Sequence, residues 1–176
     1  AVFLWYSFYG KTLVYPNSIS SRDVLKAVRQ AKCTHLYSVP IFWDSVAQQF
    51  QRSLALMKPS KQEFVKRMLA YHTHQISRDA AGMAARKFVC HSVQRKLFGT
   101  KIEYCISGGG YLLPKTNAVI NGLGYPLYNG YGMTEIGVAS VEQSPKVELR
   151  LLGSIGKPFA GFEYKIVPHD ASHSDE

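Results

Sequence analysis

Short runs of β-branched and aromatic residues alternate with longer helix-like segments along this chain, and that alternation constrains its fold more than any other feature. Such runs are typical of buried strands when turn residues bound them. On this basis we predict five strands, at Thr12–Tyr15, Thr34–Val39, Ile102–Ile106, Tyr125–Tyr128 and Glu163–Val167. Because helix-like segments separate most of the strands, we expect an α/β fold rich in parallel sheet.

Helices are predicted from the spacing of apolar residues and from residues that favour helix ends. Ser20 and Ser21 offer an N-cap before an apolar face that begins at Val24. Pro114 opens a later helix, and Gly124 ends it. Helices are predicted at Trp43–Leu56, Ala80–Phe98 and Pro114–Leu123, with one more carrying the apolar face that begins at Val24 and another starting near Phe64.

The two ends of the chain differ in polarity. Ala1–Tyr9 (AVFLWYSFY) is apolar and too short to span a bilayer, and it lacks the basic lead-in of a signal peptide. We therefore expect it to be the later part of a buried secondary-structure element. Residues 169–176 form a polar tail with nothing apolar to bury. The natural domain is expected to continue past both ends.

Basic residues outnumber acidic ones, which bears on the class of partner. The 176 residues contain 21 Lys or Arg and 12 Asp or Glu, a formal net charge of +9. This charge favours anionic partners such as nucleotides and phosphates, and it leaves open a peripheral contact with acidic membrane lipids. It is spread along the chain without a run of like charges, so no specific nucleic-acid patch is predicted.

The cysteines and histidines do not form an obvious cross-link or metal site. Cys33, Cys90 and Cys105 are odd in number and form no CxxC pair. We expect them to be small buried hydrophobes in a reducing compartment, and hence a cytoplasmic protein. No carboxylate or cysteine lies at ligand spacing from His72 or His74, so no metal site is predicted there.

A first stretch able to carry chemistry is Ser107-Gly108-Gly109-Gly110, which directly follows a predicted strand and precedes a helix. Glycines let backbone N–H groups approach a flat base or a phosphate closely, and ligands of open parallel sheets bind at the carboxyl ends of strands. A tight turn explains three glycines equally well. The stretch is not a Walker A loop, because no Gly-Lys-Ser/Thr follows it.

The second such stretch is residues 129–135 (NGYGMTE), predicted as a loop just after the strand Tyr125–Tyr128. An aromatic ring such as Tyr131 can stack on a base, and the amide of Asn129 can donate and accept on a base edge. The hydroxyl of Thr134 can reach a phosphate oxygen, and the carboxylate of Glu135 can hold Mg²⁺. The alternative is a polar loop with an incidental tyrosine.

These motifs together resemble the adenylate-forming enzymes, which include acyl- and aryl-CoA synthetases, luciferases and peptide-synthetase adenylation domains. NGYGMTE resembles their Tyr-Gly-x-Thr-Glu signature, and the glycine stretch precedes it by the family's spacing. Residues 153–158 (GSIGKP) and 38–40 (SVP) resemble two further family segments. The basic helical region ending at 96–99 (KLFG) is most similar to the long-chain fatty acyl-CoA synthetase branch. The resemblance implies that residues 1–176 are part of an AMP-binding N-terminal domain, with its nucleotide-binding loops at 107–135.

The resemblance also implies a role for each residue of these loops. Tyr131 would stack on adenine with Gly108, Gly109 and Gly110 against its other face. Asn129 would meet the adenine amino edge. The resemblance also implies that Gly130, Gly132, Met133 and Thr134 surround the nucleotide. Thr134 and Glu135 would be the catalytic pair, Thr134 on the α-phosphate and Glu135 on Mg²⁺. The implied reaction activates a carboxylate, most simply a fatty acid, with ATP as acyl-AMP, and passes it to coenzyme A.

Parts of the family's machinery are expected outside these 176 residues. Its phosphate loop should lie upstream of residue 1, and its ribose-binding Asp and C-terminal Lys beyond residue 176. The chain alone is therefore expected to be inactive and to need the remainder of its parent enzyme. Gly110 and Tyr111 depart from the common family residues, which leaves the acyl chain length open.

Two other functions remain open. One is an adenylating enzyme for an amino acid, an aryl acid or a carrier-protein-bound acyl group. The other, from a different class, is a non-catalytic basic nucleotide- or RNA-binding module. Aromatic residues interleaved with basic residues on exposed strands would favour that module.

Overall fold

The computed structural model describes residues 2–74, residue 83 and residues 90–165, and it shows a mixed α/β architecture. We number the elements of this described part in chain order. The helices are α1 (Val2–Phe8), α2 (Ser21–Gln30), α3 (Pro40–Ala55), α4 (Pro59–His72), α5 (His91–Lys96), α6 (Pro114–Gly122) and α7 (Val147–Leu151). The strands are β1 (His35–Ser38), β2 (Tyr104–Ser107), β3 (Leu127–Met133) and β4 (Gly137–Val141).

The helices begin where the sequence supplies residues suited to a helix N-terminus. The hydroxyl of Ser20 accepts a hydrogen bond from the backbone N–H of Asp23 at 3.2 Å and so caps α2, as predicted. Proline occupies the first position of α3, α4 and α6, where its missing N–H would have no intrahelical partner. These starts fix where each helix leaves the sheet.

The four strands form one sheet in the order β1-β2-β3-β4. β1 pairs with β2 in parallel, and β2 pairs with β3 in parallel, whereas β3 and β4 are antiparallel. The helical connections between the first three strands account for the parallel pairs, and the three-residue turn after β3 accounts for the antiparallel one. The predicted parallel α/β sheet is thus confirmed, with one antiparallel strand added.

One face of the sheet is buried against helices. Helix α6 packs against both α3 and α4. The core includes the fully buried side chains of Trp43, Met68, Ile120, Cys105 and Leu127. Cys105 and Leu127 are neighbours across the β2–β3 pair, so they mark the buried face. Burial raises the pKa of the Cys105 thiol, which keeps it protonated and unreactive.

Several predicted elements differ from the structure. Thr12–Tyr15 is not a strand, because these residues make no backbone hydrogen bond to any described strand, and Pro16 supplies no N–H to extend one. Thr12, Leu13 and Val14 instead line a cavity of about 800 Å³ between α2 and β1. Glu163–Lys165 is also not a strand, and the rest of that prediction lies outside the described residues.

Other predictions fall largely or wholly outside the described residues. Of the helix predicted over Ala80–Phe98, the structure describes residue 83 and residues 90–98, which include α5. The polar tail at 169–176 lies outside them altogether. Among the helices that the structure describes, none combines the length and the apolarity needed to cross a membrane.

The apolar first segment forms a helix, but its described side chains are not core. In α1, Leu4 is 70% exposed and Phe8 is 82% exposed. The hydroxyl of Tyr6 lies 2.6 Å from that of Tyr37 on β1 and ties the helix to the sheet. The expected core role of this segment is therefore not seen in the described chain, because no described element covers these two side chains.

Candidate functional site

The sheet register brings the two glycine-containing stretches side by side. Ser107, the last residue of β2, pairs with Asn129 in β3, so the glycine stretch follows the carboxyl end of β2 and the second stretch begins where the parallel pairing of β3 ends. The N–H of Gly108 donates to the carbonyl of Ser38 at 3.2 Å. A methyl group at Gly108 would lie 3.6 Å from the carbonyl oxygen of Gly130. This is the position where open parallel sheets bind ligands.

The segment 38–40 forms the other wall of the glycine stretch. A methyl group at Gly109 would lie 3.9 Å from Cγ1 of Val39, and one at Gly110 would lie 3.5 Å from Cγ of Pro40. Gly109 has a φ of +81°, in the left-handed region that favours glycine. The glycines thus let the chain turn beside the start of α3 and keep this face free of side chains.

Residues 129–135 are mostly strand, and their prediction as a loop is wrong. Asn129–Met133 belongs to β3, and only Thr134 and Glu135 lie in the turn that leads to β4. Their glycines serve close strand packing: a methyl group at Gly132 would lie 2.3 Å from the carbonyl oxygen of Gly137 on β4. The turn therefore projects the last two residues of the motif from the end of a hairpin.

The hairpin contains a β-bulge. Tyr131 pairs with Ser140, but the next residue, Gly132, pairs with Val138, so Ala139 is an extra residue in β4. The carbonyl of Ala139 accepts a hydrogen bond from the N–H of Phe159 at 2.8 Å. Bulges of this kind bend a strand and re-aim neighbouring side chains, and they are common beside binding sites.

The third predicted stretch, residues 153–158, packs against the same hairpin. Nδ2 of Asn129 donates to the carbonyl of Gly153 at 3.3 Å. Pro158 forms an antiparallel bridge with Ser140. A methyl group at Gly156 would lie 2.2 Å from the carbonyl oxygen of Val141, so only glycine fits there. The structure therefore brings together the glycine stretch, the hairpin and the GSIGKP segment.

The side chains of the motif are open to solvent. Tyr131 is 37% exposed, and its ring contacts the ring of Tyr164 edge-to-face, with 6.1 Å between centroids. Met133, Thr134 and Glu135 are exposed. The hydrogen bond to Gly153 uses one N–H of the Asn129 amide, and no hydrogen bond among the described residues uses its Oδ1. Groups able to stack, to accept a hydrogen bond and to bind a cation thus share one surface.

Sequence reasoning missed a polar network behind this surface. Asn117 and Asn121 of α6 are buried, as is Arg150 of α7, and they are linked by hydrogen bonds. Burial raises the pKa of the neighbouring Tyr128 phenol, and the Arg150 guanidinium opposes that rise. The sequence did contain a hint of this network: Asn117 and Asn121 are four residues apart, so they lie on one face of the helix between the two glycine-containing stretches.

The sequence as a whole matches a known family. The sequence profile of AMP-binding enzymes matches residues 1–175. Long-chain-fatty-acid–CoA ligase 2 of Schizosaccharomyces pombe is 25% identical over 165 residues, which cover 91% of this chain and 24% of that protein. The resemblance to adenylate-forming enzymes is therefore confirmed. The ligand roles of the individual residues stay predictions.

Two plant proteins and one solved structure are also similar. Probable acyl-activating enzyme 16 of Arabidopsis thaliana is 33% identical, over 50% of this chain and 12% of its own length. A long-chain-fatty-acid–[acyl-carrier-protein] ligase of the same plant is 33% identical, over 52% of this chain and 13% of that protein. The adenylation domain of a carboxylate reductase from Mycobacterium chelonae shares the fold, with a TM-score of 0.53 and 21% identity over 75% of this chain and 18% of that chain. The chain spans about a quarter or less of the length of its curated relatives.

Proposed function

This chain belongs to the AMP-binding enzyme family, and on that premise we propose that the protein carrying it is an AMP-forming ligase that joins a carboxylic acid to a thiol. The observation that carries the proposal is the convergence of three separate stretches on Asn129. Its Nδ2 is held by the Gly153 carbonyl, and Ser107, which begins the glycine stretch, pairs with it across the sheet. A nucleotide needs such a convergence of polar groups at strand ends.

The base of the nucleotide is proposed to lie between the hairpin and the glycine stretch. With Nδ2 of Asn129 bonded to Gly153, its Oδ1 is left as an acceptor suited to the exocyclic amine of adenine. Tyr131 supplies an aromatic surface for stacking, and Gly108–Gly110 offer backbone without side-chain bulk on the other side. Gly130 and Gly132, which flank Tyr131 in the strand, let β4 pack close to β3.

The phosphates are proposed to lie at the turn of the hairpin. The hydroxyl of Thr134 can donate to an α-phosphate oxygen, and the carboxylate of Glu135 is the hard oxygen ligand that Mg²⁺ prefers. Both side chains are exposed and adjacent in the turn, so the donor set fits a metal-bound phosphate group. When bound, Mg²⁺ would neutralise phosphate charge.

The proposed chemistry has two steps. In the first, a carboxylate oxygen of the acid attacks the α-phosphorus of ATP, an acyl–phosphate bond forms, and pyrophosphate leaves with the electrons of the broken phosphoanhydride bond. In the second, a thiol attacks the acyl carbon and loses its proton, and AMP leaves. Thr134 and Glu135 contribute positioning and charge stabilisation rather than a covalent bond.

The acid is proposed to be a fatty acid and the thiol that of coenzyme A. Two of the relatives are named for long-chain fatty acids, and one of these is a CoA ligase. The other carries acyl-carrier-protein in its name, so a carrier protein is the alternative acceptor. Tyr111, which follows the glycine stretch and is 76% exposed, is available to border the acyl group.

The cellular setting is proposed from the thiols. Neither Cys33 nor Cys105 forms a disulfide bond. We therefore propose a reducing compartment, with the cytoplasm as the first candidate and a peripheral contact with acidic lipids compatible with the net charge of +9.

An RNA-binding module is disfavoured by how the aromatic residues of the sheet are arranged. His35, Tyr104 and Tyr128 lie on neighbouring strands, with ring centroids 5.1 Å and 5.6 Å apart and nearly parallel planes. These rings stack on one another, which occupies the faces that a base would need.

The test of the proposed function is pyrophosphate–ATP exchange by the complete protein with a panel of carboxylic acids. Exchange that depends on a fatty acid is the expected result. Exchange that depends on an amino acid or an aryl acid would move the protein to another branch of the family. Absence of exchange with every acid, in a folded protein that also fails to bind ATP, would refute the proposal.

Replacing Tyr131 with alanine is expected to raise the KM for ATP about ten- to a hundredfold with little change in kcat. Stacking is present equally in the ground state and the transition state, and it contributes about 1–3 kcal/mol. Steady-state kinetics of the complete protein measure this. Tyr131→Phe keeps the ring and should keep the KM, so an equal defect in both variants would show that stacking is not the function of this side chain.

A further inference from the structure

Arg150, in α7, is a buried cation whose hydrogen bonds within the described chain all go to neutral oxygens. It is 9% exposed. Its Nε donates to Oδ1 of Asn121 at 3.0 Å, and one terminal nitrogen donates to the carbonyls of Ser144 and Pro145, each at 2.9 Å. Its guanidinium carbon lies 5.1 Å from the centroid of the Tyr128 ring. A buried charge is costly unless it is hydrogen-bonded, and this arrangement uses the planar fork of arginine in a way that lysine cannot reproduce.

Two asparagines of α6 extend these contacts. Nδ2 of Asn117 donates to the backbone carbonyl of Arg150 at 2.7 Å, and Nδ2 of Asn121 donates to Oδ1 of Asn117 at 2.7 Å. Oδ1 of Asn121 also accepts from the N–H of Leu127 at 3.4 Å. Helix α7 is thereby joined to α6 and to the start of β3. A fully connected buried network of this kind holds its members in one arrangement.

The backbone just after Arg150 reaches the proposed nucleotide site. The N–H of Gly153 donates to the carbonyl of Arg150 at 3.3 Å, and the carbonyl of Gly153 accepts from the amide of Asn129 at 3.3 Å. The carbonyl of Arg150 therefore receives hydrogen bonds from both Asn117 and Gly153. Any shift of α7 moves the acceptor that orients the Asn129 amide.

We propose that Arg150 is a positioning residue for base recognition: by fixing α7 it holds the Gly153 carbonyl, which turns Oδ1 of Asn129 toward the amino group of adenine. The inference rests on the proposed function, that this hairpin binds the AMP moiety. Without the Arg150 contacts the amide is free to turn over and offer Nδ2, which suits a base that carries a carbonyl instead. A protein without these contacts is therefore expected to lose its selectivity for adenine over a base that carries a carbonyl.

The test compares equilibrium binding of AMP with that of inosine monophosphate, whose base carries a carbonyl in place of the amino group. Calorimetry on the complete protein is expected to show about a tenfold preference for AMP, the worth of one hydrogen bond. Arg150→Lys and Asn129→Ala should each bring this ratio close to one. The double variant Arg150→Lys/Asn129→Ala should be no less selective than Asn129→Ala alone, because both changes disable the contact between the Asn129 amide and the base.

Controls separate positioning from general damage. Arg52→Lys, on the exposed face of α3, should keep both the AMP preference and the thermal midpoint. If Arg150→Lys does not fold, Asn117→Ala replaces it, since it removes the donor to the Arg150 carbonyl while leaving the guanidinium in place. Asn117→Ala is also expected to lose the preference for AMP.

The outcomes distinguish this inference from the function on which it rests. A wild-type protein that binds neither nucleotide overturns the proposed function, and the inference falls with it. A wild-type protein that prefers AMP, together with a folded Arg150→Lys variant that keeps the preference, overturns the inference alone. Additive losses in the double variant do the same, because they would show that Arg150 acts independently of Asn129.

Discussion

Replacing Glu135 with alanine is expected to lower kcat of the complete protein about 10²- to 10³-fold, with a smaller effect on the KM for ATP. Charge stabilisation at a transferred phosphoryl group grows toward the transition state, and losing one such contribution has an effect of this size. Glu135 lies exposed in the turn of the hairpin, where its removal leaves the core untouched. Steady-state kinetics at saturating ATP, with Mg²⁺ varied, measure the effect.

The matched control for this change is Glu103→Ala. Glu103 is also exposed, but it lies just before β2, at the opposite end of the strand from the glycine stretch. Its replacement should leave kcat unchanged. Excess Mg²⁺ should rescue Glu135→Ala only in part. A Glu135→Ala variant with near-normal kcat would show that this carboxylate does not serve the metal.

Replacing Gly156 with alanine is expected to destabilise the protein by about 3–5 kcal/mol, at the upper end for a single substitution. Gly156 has a φ of +78°, and an added methyl group would lie 2.2 Å from the carbonyl oxygen of Val141. That oxygen is backbone in the sheet and cannot move aside as a flexible side chain would. Urea denaturation of the purified protein measures the change in the free energy of unfolding.

Comparison with Gly153→Ala separates the steric clash of the added methyl group from the cost of the left-handed backbone conformation. Gly153 has nearly the same φ, +77°, but nothing lies within 4 Å of the position that its methyl group would take. Only the left-handed conformation is then disfavoured, so the expected loss is about 1–2 kcal/mol. Equal losses in the two variants would mean that the close approach of residue 156 to β4 does not govern stability.

The parts of this fold that sequence predicted best are those set by local signals. Ser20 caps α2, and Pro114 opens α6, because each acts on backbone groups within a few residues of itself. The runs His35–Ser38 and Tyr104–Ser107 lie inside predicted strands or extend them by one residue, because their β-rich composition coincides with burial in the sheet. Thr12–Tyr15 has a similar composition but pairs with no strand among the described residues, and composition alone does not reveal that difference.

The candidate site was found as a set of motifs, but its shape was not. Glycines at 130 and 132 are read locally as loop residues, whereas the structure uses them to bring β4 close to β3. That requirement depends on residues 137–141, whose pairing is not visible in the sequence around the motif. Helix α7 has only five residues, Val147–Leu151, too few to show a helical period. Because this short helix is not predicted from the sequence, neither is the burial of its Arg150 against α6.

The extra residue in β4 restricts how this hairpin can change in length. Ala139 and Ser140 together lie opposite Tyr131 and are both buried, so deleting Ala139 would keep Val138 opposite Gly132 but would remove one of the two buried side chains. It would also remove the carbonyl that accepts from Phe159. The ladder itself leaves room for a change in length only at 134–136, where no pairing partner is lost, and there the proposed roles of Thr134 and Glu135 oppose it. An alignment of relatives should therefore show little variation in the length of this hairpin.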